Sequence, residues 1–124
     1  MSVGVLAGVK VLDLHEDTAG SFCPRLLAHS GADVLKLEPP GGAALRKMGP
    51  FFGDDPHQEK SLFFLVMNLN KKGATLNLET DTGKSLLKQL AQYVDVIIES
   101  YKPGHLSQLG LGYQELAEVN PSLV

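Results

Sequence analysis

The sequence has a single cysteine, no surplus of basic charge and no long apolar run, and each of these shortages excludes a class of protein. Cys23 is the only cysteine among the 124 residues, which excludes an intrachain disulfide and indicates a reducing compartment. No apolar run approaches the roughly 20 residues of a membrane helix, and the N-terminus lacks a signal-peptide pattern. The net charge of −3 gives no electrostatic reason to bind nucleic acid. We therefore expect a cytoplasmic protein without a membrane or nucleic-acid partner.

Strand-like and helix-like segments alternate along the chain. Short apolar runs rich in β-branched residues predict buried strands at residues 9–14, 32–38, 74–78 and 95–99. Capping residues and the spacing of apolar side chains predict helices at residues 19–30, after Thr80 or Asp81, and at residues 113–119. This order predicts right-handed crossovers and a parallel sheet with flanking helices, which is an α/β fold.

Three further segments carry weaker patterns. Residues 39–62 form a long connection rich in proline and glycine, of a kind that is usually functional or mobile. The apolar run at residues 62–67 fits either a helical turn or a core segment. Leu123 and Val124 resemble the start of another strand, and they predict an incomplete domain.

The carboxyl ends of the predicted strands mark the expected ligand side of the sheet, because open parallel sheets bind ligands there. Residues 13–20, 38–42 and 100–104 follow three of these strands, and helix N-termini nearby offer N–H groups to phosphate oxygens. Neither G-x-G-x-x-G nor G-x-x-x-x-G-K-[ST] is present. A nicotinamide cofactor or a nucleoside triphosphate is therefore unsupported.

Six ordered segments carry a resemblance to a known family: LAGVKVLDL, AG, LLAHSGADVLKLEPPGG followed by Arg46, NLNKKGATLNLET, DVIIESYKPG and LGLGYQELAEVNPSLV. Together they resemble the N-terminal segment of the family III CoA-transferases (the CaiB/BaiF family), which also includes acyl-CoA racemases. The resemblance covers essentially the whole chain. It implies that residues 1–124 are the coenzyme-A-binding part of a Rossmann-like large domain. It also implies a homodimer of interlocked full-length chains.

The resemblance further implies a reaction and its substrates. Family members move coenzyme A between an acyl-CoA and a carboxylic acid, with no metal and no prosthetic group. Their nucleophile is an aspartate that attacks the thioester, and it lies further along than Val124 reaches. None of the aspartates here matches it, namely Asp13, Asp17, Asp33, Asp54, Asp55, Asp81 and Asp95. No catalytic residue is therefore assigned, and the 124-residue chain alone is predicted to be inactive.

The coenzyme A contacts implied by the resemblance fall in three loops, at Thr18, Ala19, Leu76, Asn77, Leu78, Ser100, Tyr101 and Lys102. The first two would lie beside the adenosine or pantetheine. Residues 76–79 would line the adenine pocket. Residues 100–102 match the segment before the family's Pro-Gly turn, where Lys102 could pair with a phosphate as a point charge.

Three departures from the family pattern remove cations near the expected phosphates. Pro39 and Gln108 stand where arginines are common, and Glu79 stands in place of a lysine. Charge-assisted hydrogen bonds contribute roughly 1.5–3 kcal/mol each, so weak coenzyme A binding is expected. Other basic residues could substitute, namely Arg46, Lys71 and Lys72.

Other residues favour ordinary structural roles. Cys23 is interpreted as a small buried apolar side chain, because no histidine pattern supports an activated thiol. The four histidines lack metal-ligand spacing and are expected to be solvated or capping residues. Asp13 favours a turn or a helix cap over a substrate contact. Lys71 and Lys72 fit a solvated turn as well as a phosphate site.

Two other functions stay open beside a CoA-transferase. The chain could be a non-catalytic CoA-binding or assembly module, including a degenerate relic, or it could be a fragment of an acyl-CoA racemase. The length of the connection at residues 41–60 is more typical of the transferases than of the racemases.

Overall fold

The computed structural model describes residues 3–124, apart from the side chain of Ala19. Four strands and five helices follow one another in chain order: β1 (Lys10–Asp13), α1 (Thr18–His29), β2 (Asp33–Glu38), α2 (Leu62–Met67), β3 (Lys72–Thr75), α3 (Asp81–Ala91), β4 (Val96–Ile98), α4 (His105–Gln108) and α5 (Tyr113–Val119). Two short 3₁₀ helices, Ala44–Lys47 and Phe52–Asp54, lie in the connection after β2. Within these residues, no helix is long and apolar enough to cross a membrane.

The strands form one parallel sheet in the order β3-β2-β1-β4. Leu12 of the central strand β1 pairs with Leu35 on one side and with Ile97 on the other. The predicted α/β class and parallel sheet are therefore confirmed.

Helices cover both faces of the sheet. Successive side chains of a strand point to opposite faces, so each strand contributes to both packed layers. On one face, Leu12, Leu14 and Leu37 pack with the buried apolar side chains of α3 and α5, Leu87, Ala91 and Leu116. On the other face, Val11 and Val34 pack with Ala28 and Ala32, at the end of α1 and just after it. Asp13 and Lys36 share the parity of Val11 and Val34, so both charged groups point toward the α1 face.

Polar side chains fix where three helices begin. Asp17 accepts a hydrogen bond from the Gly20 amide at the start of α1, at 2.6 Å. Thr80 accepts one from the Gly83 amide at 3.0 Å, which selects Thr80 over Asp81 as the cap of α3. Ser61 caps α2 in the same way. Each cap satisfies an N–H group that the helix itself leaves free.

The structure corrects three sequence expectations. The third strand is Lys72–Thr75 rather than residues 74–78, and all of its residues are exposed at the sheet edge. Residues 62–67 form a helix, which settles the open alternative, and the short α4 was not predicted. The helix at residues 19–30 was predicted from the spacing of apolar residues such as Phe22 and Leu26, but these face outward in α1, and its inward side chains are Ser21, Pro24 and Ala28.

Val124 pairs alongside β4, on the side of that strand away from β1. Its N–H donates to the carbonyl of Asp95 at 3.1 Å, and its carbonyl accepts from the N–H of Ile97 at 2.9 Å. This pair of bonds on either side of Val96 is the pattern of a parallel ladder. The prediction that Leu123 and Val124 begin a strand agrees with this pairing.

Candidate functional site

Two adjoining clefts lie at the carboxyl edge of the sheet. The Leu76 cleft, of about 320 Å³, lies between the loops that follow the four strands and α4, and is lined by Leu14, Glu16, Leu37, Glu38, Pro39, Leu76, Asn77, Leu78, Glu79, Tyr101 and His105. The Thr18 cleft, of about 470 Å³, is lined by Glu16, Asp17, Thr18, Ala44, Leu45, Met48, Ser100, Tyr101 and Lys102. Glu16 and Tyr101 line both clefts, so the two clefts are neighbours, and together they are called the depression below.

The depression brings together seven of the eight sequence-predicted contact residues. Thr18 meets residues 100–102 in the Thr18 cleft, and residues 76–78 line the Leu76 cleft. The side chain of the eighth, Ala19, lies outside the described part of the structure. Three loops that are far apart in sequence thus meet around one side chain, Tyr101.

Carboxylates outnumber cations along the two clefts. Glu16, Asp17 and Glu79 line them, and Lys102 is the one lysine or arginine among the lining residues that the structure describes. Pro39 and Glu79 both line the Leu76 cleft, so two of the three departures from the family pattern fall at the site itself. Gln108 is exposed on α4 and lines neither cleft.

Tyr101 lines both clefts, and its phenol is partly buried beside carboxylates. Its ring centroid lies 5.0 Å from that of His105, with the planes tilted by 42°. Burial raises the pKa of Tyr101 to about 12, and nearby carboxylates, with Glu16 and Glu99 foremost, add to the rise. Tyr101 therefore stays a neutral hydrogen-bonding and stacking group throughout the physiological pH range.

Glu38 is the last residue of β2, and its carboxylate binds two residues of the long connection that follows, Ala43 and Arg46. Its carboxylate receives two hydrogen bonds from the guanidinium of Arg46, at 2.6 and 2.7 Å, and a third from the Ala43 amide at 2.7 Å. The guanidinium also lies 3.9 Å from the centroid of the Phe64 ring. Burial acts to raise the pKa of Glu38, but Arg46 and the Ala43 amide outweigh it and lower the pKa. Arg46 is thus engaged by the protein itself, which counts against its serving as a substitute phosphate ligand.

A second charged cluster is buried where β1 ends, and it centres on Asp13. The side chain of Asp13 is fully buried. The ammonium of Lys71 lies 2.7 Å from Asp13 Oδ2, and that of Lys36 lies 3.8 Å from the same atom. Asp13 Oδ1 accepts a hydrogen bond from the His15 amide at 3.0 Å. The side chains of the two lysines are only 2% and 1% exposed, so this is a buried ion cluster with one carboxylate and two ammonium groups.

The pKa directions in this cluster follow from burial and pairing. Burial alone would raise the pKa of Asp13, but the side chain of His15 and the ammonium groups of Lys36 and Lys71 outweigh burial and lower the pKa. Burial lowers the pKa of both lysines, and the attraction of Asp13 only partly offsets it.

Several sequence interpretations change here. Lys71 is not part of a solvated turn, because its ammonium is buried against Asp13, whereas Lys72 is exposed and pairs with Asp33. His15 was expected to be solvated or to cap a helix, but it is buried. Cys23 was expected to be buried, but it is exposed on the outer side of α1. Asp13 has the predicted turn contact with His15, and the helix cap is Asp17 instead.

Residues 3–124 contain no group of three or more histidine, cysteine, aspartate or glutamate side chains placed to hold a metal ion. The candidate site consists of two clefts in which carboxylates outnumber cations, with the Asp13 cluster at the end of β1 and the Glu38–Arg46 pair at the end of β2.

Comparison with known proteins places the chain in a family. The sequence profile of CoA-transferase family III matches residues 6–124. The chain is 41% identical over 120 residues to the succinyl-CoA–D-citramalate CoA-transferase of Chloroflexus aurantiacus, covering 96% of this chain and 29% of that protein. It is 39% identical over 124 residues to the succinyl-CoA:glutarate CoA-transferase of Mus musculus, covering 99% of this chain and 28% of that protein.

A solved structure has the same fold. The crystal structure of a CaiB/BaiF family protein from Brucella suis superposes with a TM-score of 0.88 at 36% identity, covering 98% of this chain and 32% of that one. The chain thus spans about 30% of the length of the relatives it matches. On the profile match, the two relatives and the shared fold, the chain belongs to CoA-transferase family III.

Proposed function

We propose that this chain forms the N-terminal part of the coenzyme A site of an enzyme that transfers coenzyme A between an acyl-CoA and a carboxylic acid. The observation that carries the proposal is the meeting of Thr18, residues 76–78 and residues 100–102 around one depression at the carboxyl edge. Ligands of open parallel sheets bind at this edge. Residues 1–124 would then be one part of a larger Rossmann-like domain.

The chemistry of the clefts suits the uncharged parts of coenzyme A better than its phosphates. In the Leu76 cleft, Leu76 and Leu78 offer apolar surface to a purine, and Tyr101 offers an aromatic face. In the Thr18 cleft, the hydroxyls of Thr18 and Ser100 can bond to the amides of pantetheine. The phosphates would lie near Lys102, which lines the Thr18 cleft together with the carboxylates of Glu16 and Asp17. One cation beside two carboxylates predicts weak binding by the chain alone.

The relatives indicate a substrate class. Both transferases compared above carry succinyl-CoA in their names, paired with D-citramalate or glutarate. We propose that the natural protein uses succinyl-CoA as donor and a small dicarboxylic acid as acceptor. It would need no metal and no prosthetic group, because the acyl group passes between carboxylates through covalent intermediates. A cytoplasmic homodimer is proposed for the full-length enzyme.

The catalytic aspartate is proposed to lie outside residues 1–124. Most aspartates in this chain already have structural partners: Asp13 with Lys71, Asp33 with Lys72, Asp55 with Lys60 and Asp95 with the Lys10 amide. Asp17 is the aspartate that lines a cleft, and its carboxylate caps α1. The 124-residue chain is therefore expected to show no transferase turnover with succinyl-CoA.

The binding proposal is tested by titrating coenzyme A into the isotope-labelled chain and following amide resonances. Shifts are expected at residues 16–18, 76–79 and 100–102. Replacing Tyr101 by Ala should weaken binding about tenfold, because stacking of one base on an aromatic ring contributes roughly 1–3 kcal/mol. Tyr93→Ala is the matched control, since Tyr93 is exposed on the turn after α3 and lines neither cleft. An absence of shifts at millimolar coenzyme A, or shifts confined to other surfaces, would reject the site.

The reaction proposal needs a separate assay of the natural protein. Transfer from succinyl-CoA to dicarboxylic acids supports a transferase. Epimerisation of a branched acyl-CoA without transfer would identify a racemase. Coenzyme A binding with neither reaction would identify a non-catalytic module.

A further inference from the structure

The loop between β1 and α1, residues 14–17, forms the wall shared by the two clefts through Glu16. The two peptide groups that flank His15 are each bound by a buried charged side chain. The N–H of His15 donates to Asp13 Oδ1 at 3.0 Å, and the carbonyl of His15 accepts a hydrogen bond from the ammonium of Lys36. A loop at the rim of a cleft is thus tied directly to the interior of strands β1 and β2.

The far end of the loop is tied to the same cluster. The ammonium of Lys71 donates to the Ser21 carbonyl in the first turns of α1 at 3.1 Å, while it also bonds to Asp13 and to the Asn68 side chain. The His15 ring packs on Gly20 so closely that a Cβ built there would lie 1.7 Å from the ring. Two lysines and one aspartate therefore fix both the entrance and the exit of the segment that carries Thr18.

We propose that Lys36 and Lys71, acting through Asp13 and the backbone of residues 15 and 21, are positioning residues that hold the β1–α1 loop in its ligand-binding shape. The inference rests on the proposed function, because it assigns the ligand to coenzyme A. Neither lysine lines a cleft, so neither touches the ligand.

Energetics favours a positioning role over simple stabilisation. Burying an ion cluster carries a large desolvation cost, and apolar residues of similar volume often give equal or greater stability at such sites. This cluster also contains one more ammonium than carboxylate, so its charges do not cancel internally. Unlike apolar side chains, the two lysines donate hydrogen bonds to backbone carbonyls, Lys36 to that of His15 and Lys71 to that of Ser21.

The test compares Lys36→Met and Lys71→Met in the 124-residue chain with Lys60→Met. Lys60 is the matched control, because it also pairs with an aspartate, Asp55, but on the surface and away from both clefts. Amide hydrogen exchange should accelerate about tenfold or more in the first two variants at His15, Gly20 and Ser21, whose amides are hydrogen-bonded within this segment. This is the change expected from losing one charge-assisted hydrogen bond that holds the segment. Exchange in α3 should stay as in the parent chain. The dissociation constant for coenzyme A should rise by a similar factor, and Lys60→Met should change neither quantity.

The outcomes separate this inference from the proposed function. Unchanged exchange at His15, Gly20 and Ser21, or acceleration spread equally over β1, β2 and α3, would overturn the positioning role whatever the result with coenzyme A. If the parent chain binds no coenzyme A, the proposed site fails, while the exchange measurement still decides whether the lysines hold the loop. If a single variant does not fold, the charge-balanced pair Asp13→Asn with Lys71→Met is measured instead. It should give the same local acceleration, and normal exchange there would overturn the inference.

Discussion

Two neighbouring strands end in a carboxylate, Asp13 on β1 and Glu38 on β2, and the protein pairs them in different ways. Glu38 meets one guanidinium whose planar fork matches it, and Arg46 keeps 18% of its side chain exposed. Asp13 is fully buried between two ammonium groups, which complete their bonding on backbone carbonyls and on Asn68. The two members of the Glu38–Arg46 pair bond mainly to each other, with one further bond from the Ala43 amide to Glu38, whereas both ammonium groups of the Asp13 cluster also donate to backbone carbonyls. Loss of the carboxylate should therefore cost more free energy at Asp13 than at Glu38.

The largest effect is expected for Asp13→Ala. Removing the carboxylate leaves two buried ammonium groups without a counter-charge, and breaking a buried pair in this way costs about 3–5 kcal/mol. A loss of that size is a large part of the stability of an ordinary domain. Urea unfolding monitored by circular dichroism measures it. A loss below about 1 kcal/mol would show that the cluster is open to water.

A smaller effect is expected for Glu38→Gln. The neutral amide keeps the shape of the side chain, but it weakens two charge-assisted bonds to Arg46, which should lower the free energy of unfolding by about 1.5–3 kcal/mol. Glu59→Gln is the control, because Glu59 is the outer, exposed partner of the same guanidinium. Equal losses in the two variants would contradict the importance of the inner pair.

Acid should weaken both sites. The pKa values of Asp13 and Glu38 are lower in the folded chain than their ordinary values of 3.8 and 4.5. The folded chain therefore binds fewer protons than the unfolded chain in this range, and stability falls as the pH falls. The contribution of these groups is complete above about pH 4.5 and is lost as the pH drops through the folded-state values. Melting temperatures from pH 7 to pH 2 measure this, and Glu38→Gln should show a shallower fall than the parent chain.

The smallest effect is expected for Lys60→Met. Lys60 pairs with Asp55 on the surface, where both side chains are well exposed. Such pairs contribute about 0–1 kcal/mol, and salt screens them. Urea unfolding at low and high salt should place this variant close to the parent chain. A loss as large as that of Glu38→Gln would mean that exposure does not separate these ion pairs.

The parallel sheet was predictable because its central strands are apolar and its helices are capped. The edge strand was not, since a strand exposed at every position carries no hydrophobic signal. The alternating pattern at residues 74–78 instead marks Leu76 and Leu78, which pack against the core after β3 has ended. The helix α4 spans only four residues, too few for a period to show.

The loops that line the two clefts could be predicted from the sequence, but the buried charged residues that contact them could not. The resemblance supplied positions such as Thr18 and Tyr101, and sheet topology explains why they meet. Lys36 in a strand reads as a solvent-facing residue under period-two alternation, but here helices cover both faces of the sheet, so its ammonium is buried. A charged residue inside a strand of a doubly covered sheet is the signal that could have identified Lys36. The partnership with Lys71, 35 residues later, depends on tertiary structure that local patterns do not contain.

The packing of the His15 imidazole on Gly20 links two positions that lie on either side of the loop. Any side chain at position 20 would occupy space that the ring now fills. Among natural variants of this protein, a residue larger than glycine at 20 should therefore be accompanied by a smaller one at 15. The two positions are expected to change as a pair over evolutionary time, because they share one volume.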